Sequence, residues 1–198
     1  MHQISTLTLS DPKFIAAFIA TLLAIVGNVP YLRDVIRHRV EPHAYTWFVW
    51  SIITCIVFFG QLAKGAGIGA LPTAASEIFT ILIFIFSLHN GFKHVRPIDK
   101  FFLVLALAGL IPWAITHDPT VSVIIAVAID LIAFIPTLRK TWDKPNSETP
   151  LLFLTNVIRH ALMLYSLEAY NVATVLHSVV MITTNIVMVY FITQKKVV

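Results

Sequence analysis

Residues 25–50 read "IVGNVPYLRDVIRHRVEPHAYTWFVW". An apolar run meets a proline, then a burst of arginines, then a second proline and a run holding two tryptophans. The pattern returns once. With Pro30 laid on Pro136, an offset of 106, "VPYLRDVIRHR" (29–39) lies over "IPTLRKTWDKP" (135–145). Pro30, Leu32 and Arg33 match Pro136, Leu138 and Arg139. In both copies a basic stretch and another proline, Pro42 or Pro150, precede the next apolar run.

Composition supplies the setting. Hydrophobic residues make up 58% of the 198, charged residues 12%, and the mean hydropathy is +0.83. Soluble domains carry roughly 25% charged residues, so this chain lacks the polar surface a soluble globule needs. The expected class is an all-α integral membrane protein that crosses the membrane several times. Strands are not expected, because lipid leaves backbone amides no partner outside a helix or a closed barrel, and no alternating ten-residue pattern is present.

Seven apolar runs are long enough to be read as transmembrane helices: Phe14–Leu32, Ala44–Leu62, Pro72–Asn90, Phe101–Ile115, Thr120–Leu138, Pro150–Leu167 and Val172–Thr193. The fourth is short and contains Pro112. Basic residues set the direction. Lys13 and Lys64 fall on one side. Arg33, Arg37, Arg39, Lys93, Arg96, Lys100, Arg139, Lys140, Lys144, Lys195 and Lys196 fall on the other, and Arg159 lies inside a run. The positive-inside rule places the N-terminus outside and the C-terminus in the cytoplasm. Without the fourth helix, the basic stretches of the two halves would face opposite sides.

The chain then divides into a first three-helix repeat (1–92), a linker helix (93–118) and a second three-helix repeat (119–198). An odd linker restores orientation, so the layout is two parallel three-helix bundles joined by one helix. This layout, with a proline closing the first helix of each repeat and a short basic loop after it, resembles the PQ-loop and SWEET transporter superfamily over essentially the whole chain. The signature Pro-Gln is replaced by Pro30-Tyr31 and Pro136-Thr137. The Trp47–Trp50 spacing in "TWFVW" is similar to the WxxW of nicotinamide riboside-type vitamin carriers. The resemblance implies helix order 1-3-2 in each bundle and a central cavity opened alternately to either side.

Proline removes a backbone donor and clashes with the preceding turn. Pro30 and Pro136 are therefore expected to kink or end their helices near the cytoplasmic side, as paired hinges of an inner gate or as plain terminators. Ionisable residues in hydrocarbon need a partner or a cavity. Asp130 and Arg159 lie at matching depths, roughly 12–14 Å from the cytoplasmic helix ends. A buried ion pair between them is expected, as a structural clip or a coupling element. Their repeat equivalents are Ala24 and Ile53. Glu77 and His177 fall near the outer ends of equivalent helices and form a candidate acid–imidazole pair. His160, next to Arg159, points about 100° away and receives no role.

The neutral polar set suits a substrate cavity: Asn28, Trp47, Trp50, Asn156 and Asn185. Asparagine offers donor and acceptor, and indole stacks on rings. Trp47 also fits an interfacial aromatic belt. Trp50 and Asn156 are repeat equivalents. Asn185 lies in the helix where the resembling sugar carriers use asparagine.

Other readings fall away. The glycines of "KGAGIGALP" (64–72) lack the strand context of a dinucleotide loop, and "RHR" and "KHVR" are expected to anchor at anionic lipid. Basic residues placed between apolar runs argue against nucleic acid as a partner. Cys55 stands alone, with no CxxC metal or redox motif. "MHQISTLTLSDPK" has no basic region ahead of its apolar run and does not read as a signal peptide. No motif points to an enzyme, and no cofactor or metal is expected. The functional expectation is a carrier for a small polar solute (a sugar, amino acid or vitamin-like molecule), facilitated or proton-coupled, in the plasma or inner membrane. The alternative is a seven-helix small-molecule receptor or sensor. Lipid is an expected partner, and assembly into a homo-oligomer stays open.

Overall fold

A computed structural model describes residues 11–93, 95–108, 115 and 118–194. Among these residues the chain is helical, without strands. Seven α-helices follow in order: α1 (Pro12–Ile36), α2 (Ala44–Ala63), α3 (Leu71–Asn90), α4 (Pro97–Ala108), α5 (Pro119–Asp143), α6 (Pro150–Ser166) and α7 (Val172–Thr193). Short 3-10 turns at Gly67–Ala70 and Pro145–Ser147 lead into α3 and α6.

The helix starts are written locally. Asp11 and Asp118 each precede a proline at the first helical position, and each accepts backbone N–H bonds from the first turn: Lys13 at 2.8 Å, and Thr120 and Val121 at 2.6 and 3.2 Å. Asn171 starts α7 with a capping box closed by Thr174.

Among the described residues, five helices are long and apolar enough to cross a membrane: α1, α2, α3 with its leading turn, α5 and α7. The other two expected spans are shorter. α6 has 17 residues, roughly 25 Å, and it carries Arg159. α4 has 12 described residues; Pro112, expected to interrupt it, lies outside the described residues, as do Lys195 and Lys196. The surface is the inverse of a soluble protein's. Phe18, Phe59, Ile78, Val104 and Ile186 are each more than half exposed, while Thr46, Gln61, Ser87 and Ser178 are fully buried. Lipid is the solvent that makes this arrangement favourable.

Neither internal proline ends its helix. α1 continues from Pro30 to Ile36, and α5 from Pro136 to Asp143. The reading of these prolines as terminators is therefore corrected: tertiary contacts hold the last turns in place. Tyr31 and Thr137, the residues that follow the prolines, are both buried. Tyr31 donates from its hydroxyl to Glu148 Oε2 at 2.7 Å, and Thr137 Oγ1 donates to Thr46 Oγ1 at 2.9 Å. Arg33, Arg139 and Lys140, expected in loops, are helical for the same reason.

Packing repeats along with the sequence. α3 packs against both α1 and α2, while α1 and α2 make no comparable contact. α7 packs in the same way against α5 and α6. The two triplets meet through α1 on α6 and α2 on α5. At the first junction a Cβ on Gly27 would overlap the Thr155 hydroxyl, so glycine sets the spacing. Adding the offset of 106 to Gly27 gives Ala133, and subtracting it from Thr155 gives Val49. Ala133 and Val49 share one buried cluster at the second junction.

Gly27→Ala should therefore destabilise the protein by about 1–3 kcal/mol through overpacking, seen as a lower unfolding temperature in detergent. Adding Thr155→Ala, which removes the overlapping hydroxyl, should recover part of that loss.

Candidate functional site

Helical spacing on six helices brings polar residues to one cavity between the triplets. α1 contributes Asn28; α2 contributes Trp47, Trp50 and Thr54; α3 contributes Thr73, Ser76 and Thr80. α5 contributes Asp130 and Phe134. α6 contributes Leu152, Phe153, Asn156, Arg159 and His160, and α7 contributes His177, Met181, Thr184 and Asn185. Positions three, four, seven or eight apart recur on the five helices that contribute more than one residue, as one face requires. The space not filled by atoms, open mouth included, is about 660 Å³.

All five members of the expected neutral set line this cavity. Asn28 Nδ2 and Asn185 Nδ2 each donate to the carbonyl four residues back in their own helix, Ala24 and Met181, at 2.7 Å. Asn185 Oδ1 accepts from Asn156 Nδ2 at 3.3 Å, and Asn156 Oδ1 accepts from Arg159 Nε at 3.2 Å. Trp47 is 4% exposed and does not face lipid as a belt residue would. Its ring packs on Tyr31 and edge-on to Trp50, and Trp50 packs on Phe134, with centroids 5.1–5.5 Å apart.

The charged set is arranged differently from expectation. No ion pair joins Asp130 to Arg159 among the described residues. Arg159 turns toward α3 and along its own helix, donating to the Pro72 carbonyl at 3.2 Å and lying 2.8 Å from His160 Nε2. The indole nitrogen of Trp50 is the polar neighbour of the Asp130 carboxyl, but no hydrogen bond of ordinary geometry reaches that nitrogen. Both side chains line the cavity, but the Arg159 guanidinium is engaged with Pro72, Asn156 and His160 instead of Asp130. His160 belongs to the cavity face, since a lining stripe at least 100° wide holds adjacent residues. His160 Nδ1 lies 3.3 Å from Ser178 Oγ, and its ring meets the His177 ring edge-on at 5.6 Å.

Glu77 and His177 are not paired either. Thr73, Ser76 and Thr80 hold the cavity face of α3, and Glu77 is one position further round. It accepts a bond from Cys55 Sγ on α2 at 3.3 Å. The α3 hydroxyl stripe was missed in the sequence, although its spacing of three and seven residues was a readable signal.

Phe134, Leu152 and Phe153 of the lining belong to a buried cluster that continues through Tyr31, Val35 and Met188. Below that lies an ionic cluster that charge counting alone did not reveal. Lys140, 2% exposed, bonds Glu148 and the Glu41 carbonyl. Asp99, at the start of α4, accepts from Arg139 and lies 3.3 Å from His43 Nε2. Arg96 reaches Asp143 at 3.0 Å, and Lys93 reaches Glu41 at 3.7 Å. No group of three or more metal-ligating side chains occurs among the described residues.

Comparison with protein-family models, curated proteins and solved structures finds no match. The site is therefore interpreted from its own chemistry.

His43 gives a pH test of the basic-end cluster. Burial lowers its pKa from 6.5 to about 4, against the opposing pull of Asp99. A base that is harder to protonate folded than unfolded gains a proton on unfolding. Stability is then full above pH 6.5, falls as pH drops toward 4, and loses up to roughly 3 kcal/mol. Denaturation of the wild type across this window should show that slope, and His43→Gln should flatten it.

Proposed function

We propose that the chain is a membrane carrier for a small polar solute, working by alternating access between two three-helix bundles, α1–α3 and α5–α7, with α4 as linker. The observation that carries this reading is the position of the polar cavity, which lies on the seam between the triplets and takes residues from all six of their helices. A solute held there touches both bundles, so rocking one against the other would change the side from which it is reached. The exchange-related junctions, α1 on α6 and α2 on α5, support a pseudo-twofold axis along the membrane normal. The basic-residue bias supports an outside N-terminus and a cytoplasmic C-terminus. The resemblance to the PQ-loop and SWEET superfamily points the same way.

The cavity suits a solute with hydrogen-bonding groups and a ring, with asparagines and hydroxyls for the former and Trp50 and Phe134 for the latter. Asp130 is the one acidic residue in the lining among the described residues and is the group we assign to proton coupling, if flux is coupled. Uptake by reconstituted vesicles, with and without a pH gradient, tests the reading. Saturable uptake is expected, and Asp130→Asn should abolish any dependence on the gradient. Saturable binding without flux would instead favour the receptor.

Pro30 and Pro136 leave the carbonyls of Val26 and Ile132 without their helical donors, at equivalent positions in α1 and α5. We assign them as hinges within continuous helices. Alanine at either position restores the missing bond and should slow uptake by about ten-fold or more at unchanged solute affinity. Unchanged uptake in both variants would remove the hinge role.

A further inference from the structure

Arg159 is 5% exposed and lines the cavity. A guanidinium stays charged and can only donate. Its partners are the Asn156 amide oxygen, the Pro72 carbonyl and His160 Nε2. Because Nε2 must accept, the His160 ring is neutral and carries its proton on Nδ1, toward Ser178. All three partners are therefore uncharged. Three of the five N–H groups are engaged, and two remain. A neutral amide at this position would tie α6 to the Pro72 carbonyl without burying a charge, so a clip alone does not explain an arginine.

The rest of the lining agrees. The Trp50 indole N–H, a neighbour of the Asp130 carboxyl, makes no hydrogen bond of ordinary geometry and also lies on the cavity wall. His177 and His160 face the cavity from α7 and α6, and Asp130 faces it from α5. With Arg159 and Asp130 both charged, the lining is balanced. A bound anion keeps that balance only if the solute also brings a cation or Asp130 takes a proton.

Resting on the carrier reading, we propose that Arg159 anchors a carboxylate on the solute, so the cargo class is small carboxylates with the ring seated at Trp50 and Phe134, and not uncharged sugars. The planar guanidinium fork matches a carboxylate through two parallel bonds.

The test uses the full chain in lipid nanodiscs and measures calorimetric binding of acid–amide pairs: 3-phenylpropionate against its amide, and phenylalanine against phenylalaninamide, with glucose and sucrose as uncharged probes. Each acid should bind at least about ten-fold more tightly than its amide. Arg159→Gln should erase that preference, and Arg159→Lys should keep part of it. Equal binding of acid and amide by the wild type, a preference surviving in Arg159→Gln, or no acid binding at all would each overturn the proposal. The wild-type comparison decides even if the variants fail to fold. Acid binding without flux would leave the anchor standing and defeat only the carrier. Flux of sugars with no preference for acids would do the reverse.

Discussion

The hydrocarbon of a membrane has no water to satisfy a polar group, and that constraint organises the chain. Backbone groups meet it by forming helices. Many hydroxyls meet it by bonding back along their own helix, as Thr21 does to Ala17, Ser51 to Trp47, Thr80 to Ser76 and Thr183 to Val179. Many groups that are not satisfied this way collect in two places: the cavity between the triplets and the ionic cluster at the basic end. The lipid-facing surface is left to residues such as Phe18 and Ile78.

The two collections behave differently. At the basic end, opposite charges meet directly, as in Lys140 with Glu148 and Arg139 with Asp99. With Tyr31 donating to Glu148 and Lys140 to the Glu41 carbonyl, these contacts join both triplets and α4 into one assembly. In the cavity, opposite charges share a space without meeting. Asparagines, an indole and histidines stand around Arg159 and Asp130. Self-satisfied charge favours fixed structure, and charge without its counter-ion leaves capacity for a ligand.

Much of this was legible in the sequence. The offset of 106 marked equivalent positions, and Asn28, Trp50, Asn156 and Asn185 stood out as polar residues in apolar runs. What was not legible was direction. Sequence gives depth along a helix well, because rise per residue is constant, but a partner is chosen by azimuth and side-chain reach. Hence Asp130 and Arg159 line one cavity yet form no ion pair, and Glu77 turns to Cys55 instead of His177. Pro30 and Pro136 were read for their local effect, whereas the buried bonds of Tyr31 and Thr137 carry both helices past them. The same tertiary ties drew Lys140 from an expected loop into a helix with its ammonium group buried.

The Gly27–Thr155 and Ala133–Val49 junctions bear on what a single chain permits. Exchanging the two triplets turns one pair of positions into the other, which is how a self-complementary surface behaves when two identical chains meet about a twofold axis. In such a dimer every substitution occurs twice. An arginine facing the shared space would be matched by a second arginine, and an acid by a second acid. Joining the halves in one polypeptide lifts that restriction. Each half can then differ from the other, and a single Arg159 can share the cavity with a single Asp130 where the positions 106 residues away are Ile53 and Ala24.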